Sequence, residues 1–316
     1  MKRIWIVLCL LGLLCSGCAP APAPEASQPP AQSPGQEPAG VTFTDALDRE
    51  VTVKRADRVA AMLGSFADIW LLAGGEDSLV AAANDAWTSF GLTLDIQNLG
   101  TTSEPNLELL ASTQPDLILA SVNTASNVEL LDQFEQAGWT VAYFKVTNFQ
   151  DYLHMLDVCT QITGRADCYQ TYGQALQDQV ERAVGRADGS QPTVLYVRST
   201  GSSCKVKNSK NSVLGEMLAD LGCVNVADSQ TSLLEQLSLE VILEQDPDFI
   251  FAVLQGADPT VAQERLEKTL LSNPAWQTLT AVREGRFHIL DNQLYNLKPN
   301  ERWGDAYEQL AEILYP

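Results

Sequence analysis

One stretch of this chain occurs twice. Asn106-Leu-Glu-Leu-Leu-Ala-Ser-Thr-Gln-Pro-Asp-Leu-Ile-Leu-Ala120 returns as Ser238-Leu-Glu-Val-Ile-Leu-Glu-Gln-Asp-Pro-Asp-Phe-Ile-Phe-Ala252, keeping Leu, Glu, Pro, Asp, Ile and Ala in register. Each copy reads as a short helix opened by a polar residue and a Glu, stopped before Pro-Asp, and followed by a buried apolar strand. Pro-Asp ahead of a strand is also ordinary loop chemistry. The ungapped match nevertheless points to the same helix-to-strand step in two similar halves.

The beginning of the chain is of another kind. Lys2 and Arg3 precede an apolar run over residues 4–14, too short to span a bilayer, and then Leu14-Cys15-Ser16-Gly17-Cys18. This is the pattern of an export signal over residues 1–17. The small residues before Cys18 resemble a bacterial lipobox, with Cys15 where Leu is more usual, so Cys18 is the expected lipid attachment point. Residues 18–40 carry seven of the fifteen prolines and almost no large apolar side chain, the composition of an extended tether. No later segment has eighteen apolar residues in a row, which leaves a tethered domain outside the cytoplasm, on the cell membrane.

Forty acidic against twenty basic residues, net −20, exclude a nucleic-acid partner, which demands a basic footprint. Cys159 with Cys168, and Cys204 with Cys223, are either disulfides or free thiols; Cys223 opens an apolar strand and reads as a buried thiol. With His154 and His288 as the only histidines, neither a zinc site nor bare-metal binding has its ligands, and each lone His reads as structural. There is no Gly-x-Ser-x-Gly, His-Glu-x-x-His or Gly-x-Gly-x-x-Gly motif, so the expectation is a chain that is not an enzyme.

Residues 42–53 alternate as a β-hairpin around Leu47-Asp48-Arg49. Short apolar strands follow at 58–62, 79–83, 116–122 and 139–144, with helices between them, one over 128–137. They make the α/β pattern of a covered parallel sheet in a lobe spanning 41–148. Residues 149–188 have helical spacing with a break at Thr163-Gly164, either a long connector or two surface helices. The second lobe, 189–316, repeats the theme with strands at 193–198, 223–226, 248–254 and 285–290 and a terminal helix over 305–314.

Asp45-Ala-Leu-Asp-Arg-Glu-Val-Thr-Val53, Glu104-Pro-Asn-Leu-Glu108, Gln114-Pro-Asp-Leu-Ile118, Thr163-Gly-Arg165, Asp246-Pro-Asp-Phe-Ile250, Asn273-Pro-Ala-Trp276, Ala281-Val-Arg-Glu-Gly285 and Lys298-Pro-Asn300 occur in order along residues 41–316. In these the chain resembles the iron-chelate and cobalamin substrate-binding proteins of ABC importers. The resemblance implies two Rossmann-like lobes with parallel central sheets, joined by one long helix as a clamshell. It also implies a monomer that hands a chelate to a membrane permease and its ATPase. One glutamate per lobe would dock the permease, and these carry over to Glu108 and Glu240; the plainer reading is a first-turn residue favoured by the helix dipole.

Ligands of open α/β sheets lie beyond the carboxyl ends of the strands, here the loops carrying Ser65, Trp87 with Phe90, Asn123, Arg198 and residues 291–303. Residues 189–215 hold no acid while containing Arg198, Lys205, Lys207 and Lys210, either an anion grip or a solvated loop. Tyr295, Lys298, Arg302 and Trp303 combine aromatic faces with cations, as a planar or chelated anion requires; Trp303 is equally a core residue in kind. Thr102 stands where some siderophore binders carry an arginine. No cofactor of the protein's own is expected. The ligand expected is a metal chelate or tetrapyrrole: a ferric siderophore first, haem or a corrinoid next. The competing function is a surface lipoprotein presenting its ligand to a sensor.

Overall fold

The repeated stretch explains how each half is built. In the computed structural model, which describes residues 40–316 apart from Ala257, the two copies are the helices Leu107–Ser112 and Leu239–Gln245, each leading into a central strand. Asn106 and Ser238 cap them, their side chains accepting from Leu109 N and Val241 N, so each helix starts where an otherwise orphaned amide finds an oxygen. Both end in a left-handed residue before proline, Gln114 at φ 47° and Asp246 at φ 39°. The Asp after the proline then stitches two strands together. Asp116 accepts from Asp57 N at 3.1 Å and Arg58 N at 3.0 Å, and Asp248 accepts from Thr193 N at 2.8 Å and Thr193 Oγ1 at 2.7 Å. The internal repeat is therefore a repeat of hydrogen bonding as well as of sequence. The signal, lipobox and tether, Cys18 included, lie outside the described residues.

Residues 40–316 fold as one compact unit containing two five-stranded sheets. The chain enters through an antiparallel hairpin, β1 (Val41–Thr44) and β2 (Glu50–Val53), as the alternation predicts. Its turn is held by buried Asp45, which accepts from Leu47 N and Arg49 N and binds the Arg49 guanidinium at 2.6 Å. The first lobe has β3 (Val59–Ala61), β4 (Leu79–Ala82), β5 (Gln97–Asn98), β6 (Leu117–Ser121) and β7 (Thr140–Phe144), all parallel in the order β5-β4-β3-β6-β7. The second has β8 (Thr193–Ser199), β9 (Cys204–Lys207), β10 (Val224–Asn225), β11 (Phe249–Leu254) and β12 (Phe287–Leu290). Its parallel order is β10-β8-β11-β12, with β9 antiparallel along the end of β8. Each sheet reverses its strand order once, between β3 and β6 and between β8 and β11, and ligands of such sheets sit outside the carboxyl ends there.

The helix expected over 128–137 is broken at Leu130 into Ala125–Glu129 and Leu131–Gln136. The strand expected at 223–226 shrinks to β10, because Asn225 accepts from Ala227 N and starts a helical turn instead. Between the lobes, Phe149–Thr163 ends at left-handed Gly164, and the helix resumes from Ala166 through a π-turn to Val184. Tyr152 Oη donates to Tyr172 O across this hairpin of helices. The terminal helix Trp303–Leu314 packs on the return arm, and one apolar core runs through both lobes by way of Tyr152, Leu156, Trp303 and Tyr307. Cys159, Cys168, Cys204 and Cys223 are all unpaired, so neither pairing forms. Burial pushes the Cys204 thiol up to about 11 and the Cys223 thiol up to about 12.

A cationic cleft as the candidate ligand site

The carboxyl ends of the two sheets meet around a cavity of about 310 Å³. The first lobe contributes Asn123, just past β6, and Thr147, just past β7. From the second lobe come Arg198, near the end of β8, and Asn211 to Val213, where the helix Val213–Asp220 begins. Asn296 and Lys298 complete the wall. Arg198 Nη1 donates to Asn296 Oδ1 at 3.4 Å, a weak bond that leaves most of the guanidinium free.

β9 gathers further charge. Its register sets Lys205 opposite Arg198 and Lys207 opposite Tyr196, and alternate residues share a face, so Arg198, Lys205 and Lys207 stand together. Burial, followed by the neighbouring Arg198 and Lys205, holds the Lys207 ammonium below its ordinary range. Burial does the same to Lys298, against the attraction of Asp151 and Asp85. Lys210 is exposed in the following loop and does not line the cavity.

Of the residues singled out in the sequence, Asn123, Arg198 and Lys298 line the cavity and Lys205 flanks it. Seven others, Ser65, Trp87, Phe90, Thr102, Tyr295, Arg302 and Trp303, lie outside the cavity lining. Ser65 is 4 % exposed at the start of the helix Gly64–Leu72. Tyr295 is 1 % exposed, with Oη donating to Ala306 O at 3.1 Å, and Trp303 is fully buried among Phe149, Tyr152 and Tyr307. The reason is the docking of the terminal helix on the connecting helices, which takes both aromatics into the core. Trp87 packs against that core with Nε1 donating to Leu94 O, and neither it nor the partly exposed Phe90 lines the cavity. Thr102 gives its carbonyl to Ser126 Oγ, and exposed Arg302 reaches only Asp305, at 3.5 Å. Sequence reasoning overlooked Thr147, just beyond a strand end, and included Asn211, Ser212 and Asn296 only as members of candidate loops without singling them out.

The segment carrying Lys298 is tied to the first lobe. Asn300, left-handed at φ 51°, donates from Nδ2 to Asp68 Oδ2 at 2.6 Å and to Ser65 O at 3.1 Å. Asp68 is raised from 3.8 to about 6, chiefly by desolvation, with Glu301 adding repulsion and the Asn300 bond opposing. Its protonated form is the one favoured by folding, so this contribution is fully present below about pH 4 and is lost as pH rises through about 6. Asp68→Asn keeps an acceptor for Asn300 and removes the charge. Urea denaturation should show the variant more stable at pH 7.5 by up to about 3 kcal/mol and equal to the parent near pH 4. The same difference at both pH values would mean that Asp68 is ionised without penalty.

Glu108 and Glu240 are exposed in the first turns of the two repeated helices, away from the cavity lining. Among the described residues no three His, Cys, Asp or Glu side chains converge as a metal site. His154 is exposed and His288 stacks on Phe251. No helix of the described residues is long and apolar enough to cross a membrane.

Two sheets of this topology, with a polar cleft between their carboxyl edges, define a two-lobed solute-binding protein. The periplasmic binding protein family matches residues 59–294, and the chain belongs to that family. It is 29 % identical to a cobalamin-binding protein of Halobacterium salinarum, over 95 % of this chain and 83 % of that one. An iron-uptake system-binding protein of Bacillus subtilis is 25 % identical over 92 % of this chain and 91 % of its own length. Among solved structures, the periplasmic haem-binding protein RhuT from Roseiflexus sp. RS-1 superposes with a TM-score of 0.67 at 21 % identity. That match covers 83 % of this chain and 98 % of RhuT. Staphylococcus aureus SirA complexed with staphyloferrin B gives 0.66 at 19 % identity, covering 87 % and 97 %.

Proposed function

We propose that the chain is the extracytoplasmic substrate-binding component of an ABC importer for a metal chelate, a ferric siderophore before haem or a corrinoid. The role is binding, with no catalytic step. The observation that carries this reading is the cleft: unpaired cations and polar groups from both lobes surround one cavity at the carboxyl edges of both sheets. The names of the relatives support the chelate class, since they include cobalamin, iron-uptake and Fe(3+)-citrate binders. In this reading Cys18 carries the lipid that holds the protein at the membrane, and Glu108 and Glu240, one per lobe, meet basic residues of the permease. The protein acts as a monomer, since its two lobes complete the site.

The test is uptake of radioactive iron, supplied as chelates, by cells with and without the gene for this chain. Loss of uptake of at least one chelate, restored by the chain in trans, is the expected result. Unchanged uptake of every iron chelate, and of haem and cobalamin, would sink the proposal.

A further inference from the structure

In a chain with twice as many acids as bases, cations are expected to find carboxylates, and several arginines do, while scattered cations such as Lys145, Arg182 and Lys268 form no ion pair among the described residues. Arg49 meets Asp45, Arg55 meets Asp57, Arg165 meets Asp167 and Arg286 meets Glu284, at 2.5 to 2.7 Å. The cleft differs in gathering such cations: Arg198, Lys205, Lys207 and Lys298 stand around it, and among the described residues none of them has a carboxylate within the 4.0 Å of an ion pair. The two acids that attract Lys298 are already engaged. Asp85 Oδ1 accepts from Gly64 N at 2.9 Å, and Asp151 Oδ2 accepts from Thr147 N at 2.8 Å and Thr147 Oγ1 at 2.7 Å. Gathering like charges in a partly desolvated cleft is costly unless an incoming group supplies the missing anions.

The cavity wall narrows the choice further. It presents amides and hydroxyls from Asn123, Thr147, Asn211, Ser212 and Asn296, and Val213 is its one apolar side chain. No aromatic ring lines it, because Tyr295 and Trp303 are in the core. A flat macrocycle needs apolar faces against its own, whereas a compact oxygen-rich chelate needs donors and charge.

Resting on the chelate reading above, we propose that this cleft selects chelates presenting at least two anionic oxygens outward from the metal. Lys298 anchors one of them, Arg198 with Lys205 and Lys207 receives the others, and uncharged or cationic chelates, corrinoids included, are discriminated against. The recognised chemistry is an oxyanion edge, which carboxylate and catecholate chelates both offer.

The experiment is calorimetric titration of the purified chain with ferric citrate, a ferric tris-catecholate, ferrioxamine B, which is cationic, and cyanocobalamin, which has no net charge. At least one anionic chelate should bind about 100-fold tighter than ferrioxamine B and cyanocobalamin, and more weakly as salt is raised. The better of the two anionic probes identifies the oxyanion. Lys298→Met and Arg198→Gln should each weaken that chelate about 10- to 100-fold. Lys298→Met removes a half-buried charge without an ion-pair partner, so its melting temperature should be unchanged or higher, which separates lost binding from lost folding. Ferrioxamine B or cyanocobalamin binding as tightly as the anionic chelates would overturn the inference and leave the importer reading standing. Unchanged affinity in both variants would do the same. Binding of none of the four would overturn this inference and leave the chelate reading to haem.

Discussion

Trp303→Ala is expected to cost the fold about 3–5 kcal/mol, the range for truncating a large buried aromatic. The indole has no exposed surface and sits against Phe149 at 5.8 Å, Tyr152 at 6.3 Å and Tyr307 at 6.4 Å, so removing it opens a void where the terminal helix meets the connecting helix. Its Nε1 is buried without a hydrogen-bond partner, which makes Trp303→Phe the informative companion. That change keeps most of the packing and relieves an unpaired donor, so it should cost well under half as much. Equilibrium unfolding of the three proteins in urea measures both effects. A Trp303→Ala protein with an unchanged midpoint and lost ligand affinity would return this residue to the binding site.

Replacing Glu108 and Glu240 together by Ala should reduce uptake about tenfold while leaving solution affinity for the ligand unchanged. Exposed ion pairs contribute up to about 1 kcal/mol each, and two of them engaged at once from separate lobes approach a factor of ten or more. Both side chains project from capped helix starts, so Ala removes the carboxylate without removing the cap supplied by Asn106 or Ser238. Each single variant should lose a few-fold. The comparison needs membrane uptake and solution binding measured on the same proteins, and unchanged uptake by the double variant would remove the docking role.

The fold is legible where local rules and tertiary structure agree. The repeated stretch is read correctly because its cap, its Pro-Asp and its apolar strand are all local, and the structure uses each of them twice. Helix ends were less legible: Leu130 interrupts a stretch whose spacing alone is continuous. In the cleft, Asn123 and Arg198 could be found because strand ends mark where ligands sit. Tyr295 and Trp303 misled because an aromatic beside a cation looks the same in sequence whether it forms a platform or fills a core. Burial by a helix from elsewhere in the chain decides between them. Thr147, Asn211 and Asn296 lie far apart in sequence and carry no periodic signal, so only the assembled lobes bring them together.

The most direct test of the chelate-binding role is native mass spectrometry of the purified chain after exposure to ferric citrate, a ferric tris-catecholate, ferrioxamine B, haem and cyanocobalamin. The expected result is a one-to-one adduct with an intact ferric chelate, strongest for an anionic one. A folded chain that retains none of the five would contradict a chelate-binding role.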